Sequence, residues 1–404
     1  MLRHKIKKLP FSIKIVAAVI FSTFLASTAN SQTVIEKALV KAGFENVREI
    51  SKQGEELFYL EGTAFVTKER ALKAVRDIFQ IHSKDFNNDK IEIVFLERGI
   101  PAYKYYSPKQ NITGDGQIKW NLDPFITDKR NVLSNIDGKR SQFYNESKWK
   151  ADLKFYPQFR FKNSRLDRMY VLQLNLNPTL ELSMWRGALL TAQIILPVYD
   201  EYSNEESRVR PGFFTFSQQL RIPGNIHLLA TVGNFNMFRT GADLKIFKPI
   251  SKSVGIYGQI GVTGWSLPLF DKWLFYDFGQ ISWRFGTNYS LPSKNILFNL
   301  NLTQYLENDI AVRGEIIRYF KNAAIGFYVQ SLQFEDYLIN GGFFFSIFLP
   351  PYKHNRNKRV RVTTADHFSI EYIARPYPQR GRMYFTSPDE SSSFNFFNRI
   401  LINN

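Results

Sequence analysis

GQISWRFGTNYSLPSKNILFNLNLTQY, residues 279–305, is the stretch on which the fold turns. Ile281, Trp283, Phe285 and Tyr289 share one parity, and Gln280, Ser282, Arg284, Gly286 and Asn288 take the other. A period of two belongs to a β-strand, because successive side chains point to opposite faces of a sheet. The run then breaks at Leu291-Pro292-Ser293-Lys294, a turn composition. Beyond it Ile296, Phe298, Leu300 and Leu302 resume the apolar face, against Asn295, Asn299, Asn301 and Thr303. The stretch predicts two strands of one hairpin.

The same alternation extends outward from about Trp149 to Arg375. Trp149, Ala151, Leu153, Phe155, Phe159 and Phe161 oppose Lys150, Asp152, Lys154, Tyr156, Gln158 and Arg160; Leu172, Leu174 and Leu176 oppose Gln173 and Asn175. Phe238, Ala242, Leu244 and Ile246 oppose Arg239, Asp243 and Lys245, and Phe368, Ile370 and Tyr372 oppose His367, Ser369 and Glu371. About 14 such runs occur, most of about 8 to 13 residues, the length a tilted strand needs to cross a bilayer. A soluble antiparallel sandwich also alternates, but its strands average about five or six residues. The chain is moreover 16% aromatic, with 37 Phe and 20 Tyr, many near strand ends, as interfacial girdles require. The expected fold is mainly β: a transmembrane antiparallel β-barrel of about 12–14 strands, preceded by a small periplasmic α/β domain. Closure is expected where Trp149–Phe161 meets His367–Arg375, since an open edge would expose backbone to lipid.

Residues 1–31 combine a basic start (MLRHKIKKLPFSIK), an apolar run (IVAAVIFSTFLA) and small residues (STANS), the pattern of a cleavable export signal with its cut after Ser31. The formal charge is +17; the signal holds Arg3, Lys5, Lys7, Lys8 and Lys14 and no acid, leaving 17 − 5 = +12 on the mature chain. Such a balance favours anionic partners, lipopolysaccharide or acidic glycan; nucleic acid is not expected for an exported barrel. There is no cysteine, which excludes disulfides, thiolate metal sites, cysteine nucleophiles and lipid on an N-terminal cysteine.

Residues 32–106 read as the α/β domain in the order αββαββ. Thr33 and Glu36 form a capping box before Ile35, Ala38, Leu39 and Ala42, and Gly43 stands where a helix ends. Strands follow near 47–50 and 57–60, a second helix after Thr67, and strands at 91–96 and 102–106. Asp85, Asn87 and Asp89 have the opening spacing of a calcium loop, but Lys90 and Leu96 occupy the positions that need glycine and glutamate, so a solvated turn is expected. Residues 107–148 read as a linker lining or plugging the barrel mouth, 149–375 as the barrel and 376–404 as a C-terminal tail. Loop candidates at 197–212, 263–273, 332–338 and 349–365 do not all fall on one side of an alternating 14-strand path.

No catalytic signature emerges, and the chain is expected to be no enzyme and to need no metal or cofactor. His367, Ser369 and Glu371 share a strand face, but residues at i and i+4 stand about 13 Å apart, so Glu371 cannot orient His367. They read as polar lumen filling. The basic run Lys353–Arg361 reads as a solvated loop, with phosphate or uronate binding as its functional alternative. Strand parity places Lys150, Lys154, Arg160, Arg239, Lys245 and Arg284, with Arg313 and Arg375, on the polar face, against Asp152, Glu181, Asp243, Glu315 and Glu371. This predicts a net basic interior, with Arg239–Asp243 and Arg313–Glu315 as internal pairs and the remaining cations available to a polysaccharide. Tyr156, Tyr257 and Tyr328 share that face and would offer rings for sugars to slide on.

Three segments carry a resemblance: EKALVKAGFENVREI (36–50), FLERGIP (95–101) and RVRVTTADHFSIEYIARPYP (359–378). Together they resemble the YjbH family of outer-membrane proteins linked to export of exopolysaccharide or group 4 capsule. The resemblance implies a periplasmic α/β domain ahead of a barrel, an acidic or neutral polysaccharide as cargo and periplasmic export proteins as partners. A general porin and, further off, a barrel enzyme are the alternatives.

Overall fold

The computed structural model describes residues 32–52, 55–82, 90–108, 120–123, 143–162, 171–201, 208–333, 337–356, 359–374 and 380–400. The export signal, the calcium-like spacing at 85–89 and Arg375 lie outside them.

The N-terminal elements are α1 (Val34–Lys41), β1 (Glu45–Lys52), β2 (Glu55–Glu61), α2 (Lys68–Ile81), β3 (Lys90–Glu97), β4 (Ile100–Pro108) and a short β5 (Asn121–Asp123), in a sheet of order β1-β2-β3-β4-β5. Gly43 has φ +102, the left-handed geometry that lets glycine end α1. Thr67 caps α2 by accepting from the Arg70 N–H at 3.3 Å. β2 and β3 pair parallel with α2 between them, so the helix packs Leu72, Val75 and Phe79 onto Phe58 and Ile93. The expected αββαββ order is present. β5, Trp120 and Tyr144 belong to this layer: Trp120 joins its core and Tyr144 bridges Val47. The described parts of 107–148 therefore cover the α/β layer rather than plug a barrel.

The second sheet has fourteen strands. They are β6 (Ala151–Lys162), β7 (Val171–Ser183), β8 (Ala188–Asp200), β9 (Arg210–Ile222), β10 (Ile226–Phe235), β11 (Arg239–Pro249), β12 (Val254–Pro268), β13 (Trp273–Leu291), β14 (Ile296–Gln304), β15 (Ile310–Tyr319), β16 (Ala323–Gln333), β17 (Tyr337–Phe348), β18 (Val360–Thr364) and β19 (His367–Ala374). The hydrogen-bonded order runs from β18 through β6 to β17 and ends on β19, antiparallel except where β18 joins β6 in parallel. The expected hairpin is there, with Tyr289 opposite Phe298 and Thr287 opposite Leu300.

The sheet is not closed into the expected barrel: its order has two ends, β18 and β19. Among the described residues no ladder joins β19 to β6; β6 pairs instead with β18, Val360 opposite Ala151 and Thr364 opposite Phe155. Parity sets the sense of that pairing. β6 to β17 and then β19 make thirteen alternating strands, and an odd number of strands sets the first and last in the same direction. β18 and β19, the two ends of the order, are separated only by Ala365 and Asp366. Across the gap Phe161 stacks on Tyr372 at 6.0 Å.

The faces of this sheet are inverted relative to a soluble protein. On β16 Tyr328 and Gln330 are buried, whereas Phe327 and Val329 are 59% and 57% exposed. On β14 Asn299, Asn301 and Thr303 are buried and Phe298, Leu300 and Leu302 face out. β7 buries Gln173, Asn175, Asn177 and Thr179 and exposes Leu174, Leu176 and Leu180.

The α/β layer sits against one end of the strands. Glu45 meets Lys150, the Gly187 N–H reaches the Arg98 carbonyl at 2.7 Å, Arg70 reaches Asn322, and Ala64 accepts from His354 N–H. At that end the connections 184–187, 223–225, 250–253, 292–295 and 320–322 hold at most four residues; 349–359 is the long one. Of the four loop candidates, 349–365 lies at this end, where its last residues form β18, and the other three lie at the far end. There 263–273 is largely strand, because β12 and β13 run on past their outer neighbours: β11 stops opposite Trp265 and β14 opposite Trp283.

Candidate functional site

The polar face is the site, and its main occupant is residues 380–400. This segment has no alternating pattern, yet it buries Tyr384, Phe396, Phe397 and Ile400 against the inner wall. Tyr384 donates to Asp243 at 2.8 Å and stacks on Phe235 at 5.1 Å. Gly261 makes that possible, since a Cβ there would stand 1.6 Å from the Tyr384 hydroxyl. Lys245 binds Glu390 and donates to Thr386 at 2.8 Å. Asp389 takes the Tyr156 hydroxyl and lies 3.6 Å from Lys154. Main-chain carbonyls are held too, Phe397 by Asn288 at 2.7 Å and Ser393 by Tyr319 at 2.6 Å. Buried polar groups need such partners, because each unmet one costs about 1–3 kcal/mol.

The expected lumen residues therefore divide. Lys154 (with Glu181, Asp366 and Asp389) and Lys245 (with Glu390) are engaged in ion pairs. Arg313 binds Glu315 at 2.6 Å, the pair the parity suggested, reaches Glu371 at 3.4 Å, and covers the Tyr328 ring at 3.6 Å. Tyr257 stacks on Phe397 at 4.5 Å, so each of the three tyrosines already has a protein partner. The Arg239–Asp243 pair does not form; Asp243 takes Gln259 and Tyr384 instead. His367 lies on Phe394, Ser369 bonds Ser346, and Glu371 accepts from Ser392, a structural filling with no triad.

Between wall and segment remains a cavity of about 310 Å³. Arg160, Arg210, Lys245, Arg284, Arg313 and Arg382 line it, with Glu315, Glu371 and Glu390 as the carboxylates among its described residues. Arg160 also donates to Gln173 at 3.3 Å. The Nε of Arg284 is buried and finds no hydrogen-bond partner among the described residues.

Lys150 lies elsewhere, in the joint between the two sheets. Its ammonium donates to Glu45 at 2.9 Å and to the Asn145 side chain at 2.6 Å. Arg356 reaches both Glu45 (2.9 Å) and Asp152 (2.5 Å), and Arg361 binds Asp152 and the Thr63 carbonyl. Two arginines of the basic run, Arg361 buried and Arg356 half-buried, thus enter a relay of ion pairs rather than a solvated loop. Nearby, the Glu61 carboxylate accepts from Asn46 and from the Arg98 and Gly99 N–H groups. Burial, with Glu45 beside it, still pushes its pKa up to about 7. Glu97 goes the other way: burial raises it, but Arg399 at 2.8 Å and Lys68 at 2.9 Å overcome that and hold it well below the carboxylate range. Through Arg399 the α/β layer grips the inner segment directly. The three segments with the family resemblance meet at this joint, contributing Glu45, the Glu97-Arg98-Gly99 turn and Arg361.

No protein-family model matches the sequence, and no curated protein matches it.

Proposed function

We propose that the chain is an outer-membrane protein whose fourteen-strand sheet wraps into a barrel, with the α/β layer on the periplasmic side. In this reading it assists export or assembly of exopolysaccharide or capsule. The observation that carries the membrane reading is the inverted sheet: a face of exposed Leu, Ile, Phe and Val over a buried face of Asn, Gln, Thr and ion pairs suits lipid outside and polar filling inside. Short connections at the α/β end match the periplasmic turns of such barrels. With β18 and β19 consecutive, the strand from Val360 to Ala374 would close the seam by serving β6 with its first half and β17 with its second.

The polysaccharide role rests on the YjbH resemblance and on the arginine-lined cavity, which would suit uronate or phosphate groups of an acidic glycan. Segment 380–400 speaks against the rival of a general porin, since it fills the interior that a porin leaves open. Deletion of the gene with measurement of surface glycan tests the role; unchanged glycan with lost small-solute uptake would favour the porin. Arg284→Gln is the pointed variant, because its Nε holds no partner that the change would orphan. Loss of glycan export with normal insertion is expected; normal export refutes a route past Arg284.

A further inference from the structure

On the outer face, β14, β15 and β16 form a groove of about 520 Å³ with Gly314 as its floor. Gly314 stands between Leu300 and Val329, and Phe298, Ile316 and Phe327 form the next row, with Tyr289 beyond Phe298. A Cβ at Gly314 would meet nothing within 4 Å, so the dent comes from the missing side chain and not from a displaced strand. The walls stand about 40–60% exposed: Leu300 55%, Phe327 59% and Val329 57%, with Phe298 at 39%. Such a void leaves its lining without contacts on one side.

Toward the α/β end the same three strands finish in exposed cations: Arg318 on β15, Lys294 in the turn before β14 and Lys321 in the turn before β16. Arg318 opposes Ile296 and Ile325, which sets it directly below the groove. Residues 286–306 and 316–333 contain no acid at all. Gly314 and Arg318 are four positions apart, about 13 Å along a strand. Half of a hydrocarbon core is about 15 Å. A lipid phosphate at Arg318 would therefore lay its chain over Gly314.

We infer that this face holds one glycerophospholipid of the α/β-side leaflet, its acyl chain in the Gly314 groove and its anionic headgroup on Arg318, Lys294 and Lys321. The inference rests on the outer-membrane barrel reading. Association draws on dispersion in the groove and on charge-assisted contacts at the interface, where basic clusters recruit anionic lipid. Lipopolysaccharide occupies the opposite leaflet and would have to present its phosphates at the wrong end of the groove.

The test is native mass spectrometry of the full chain extracted from membranes in mild detergent, with phosphatidylglycerol and phosphatidylcholine added back as competing probes. Wild type should retain one phosphatidylglycerol, and Gly314→Phe, which fills open space, should lose it at least tenfold. Arg318→Gln with Lys321→Gln should lose the preference for phosphatidylglycerol over phosphatidylcholine. Equal retention by wild type and Gly314→Phe, or retention of lipopolysaccharide in its place, overturns the site. Gly314→Val is read alongside, so a failure of the larger side chain to insert does not decide the result. Wild type recovered in the soluble fraction would remove the barrel reading and the lipid together, whereas inserted protein that retains no lipid removes the lipid site alone.

Discussion

Glu390→Gln asks whether ion pairing holds segment 380–400 inside the sheet. Glu390 binds the Lys245 ammonium and accepts from the Thr386 N–H at 2.7 Å and hydroxyl at 3.1 Å. Glutamine keeps the volume and one oxygen but removes the charge, and Lys245, 3% exposed, loses its ion-pair partner from the segment while keeping the Thr386 hydroxyl. Breaking a buried pair in this way costs about 3–5 kcal/mol. At about 1.4 kcal/mol per tenfold, the undocked population of the segment should rise by roughly two to three and a half orders of magnitude. The sheet should survive, because its ladder does not pass through the segment. Asn288 and Tyr319 still hold the far half, so release should begin around Tyr384 to Glu390. Hydrogen exchange at those amides and conductance in planar bilayers give the readout: faster exchange and intermittent openings are expected. Folded, inserted variant with wild-type exchange and no openings would refute an electrostatic latch.

Gly261→Ala should also loosen the segment, by evicting the Tyr384 hydroxyl from Asp243, and should show as faster exchange near Tyr384 with the strands intact. Asp152→Asn leaves Arg356 and Arg361 with a neutral partner in the joint; a loss of about 3 kcal/mol or more is expected from a pair with both members largely buried, read as new protease sensitivity between the two sheets. Glu61 makes the α/β layer sensitive to pH: its folded pKa of about 7 lies above the ordinary 4.5, so stability is fully present below about pH 4.5 and falls as pH rises through 7. The span corresponds to about 3 kcal/mol, and Glu61→Gln should flatten the exchange profile of β1 and β2 over that range.

What the sequence disclosed was whatever its local period could disclose. Alternation at 279–305 marked β13 and β14 because one face must meet polar groups and the other must not, and that constraint repeats every second residue. Arg313 and Glu315 were legible as a pair for the same reason, being two residues apart on one face. Arg239 and Asp243 share a face as well, yet Asp243 bonds Gln259 on β12 and Tyr384 from residues 380–400, contacts that no local period encodes. Segment 380–400 escaped notice because its constraint is three-dimensional: Tyr384 is fixed by an absent side chain at Gly261, and Arg399 by a carboxylate at Glu97. The basic run misled in the same way, since Arg356 and Arg361 look solvated until Glu45 and Asp152 come to meet them. The ends of the sheet depended on a count. Thirteen alternating strands rather than an even number set β6 and β19 in the same direction, and β18, which pairs with β6, is separated from β19 only by Ala365-Asp366. The two residues between β18 and β19 are also where the polar face and the inner segment converge, because Asp366 lies within 3.9 Å of Lys154, which also holds Asp389 from residues 380–400.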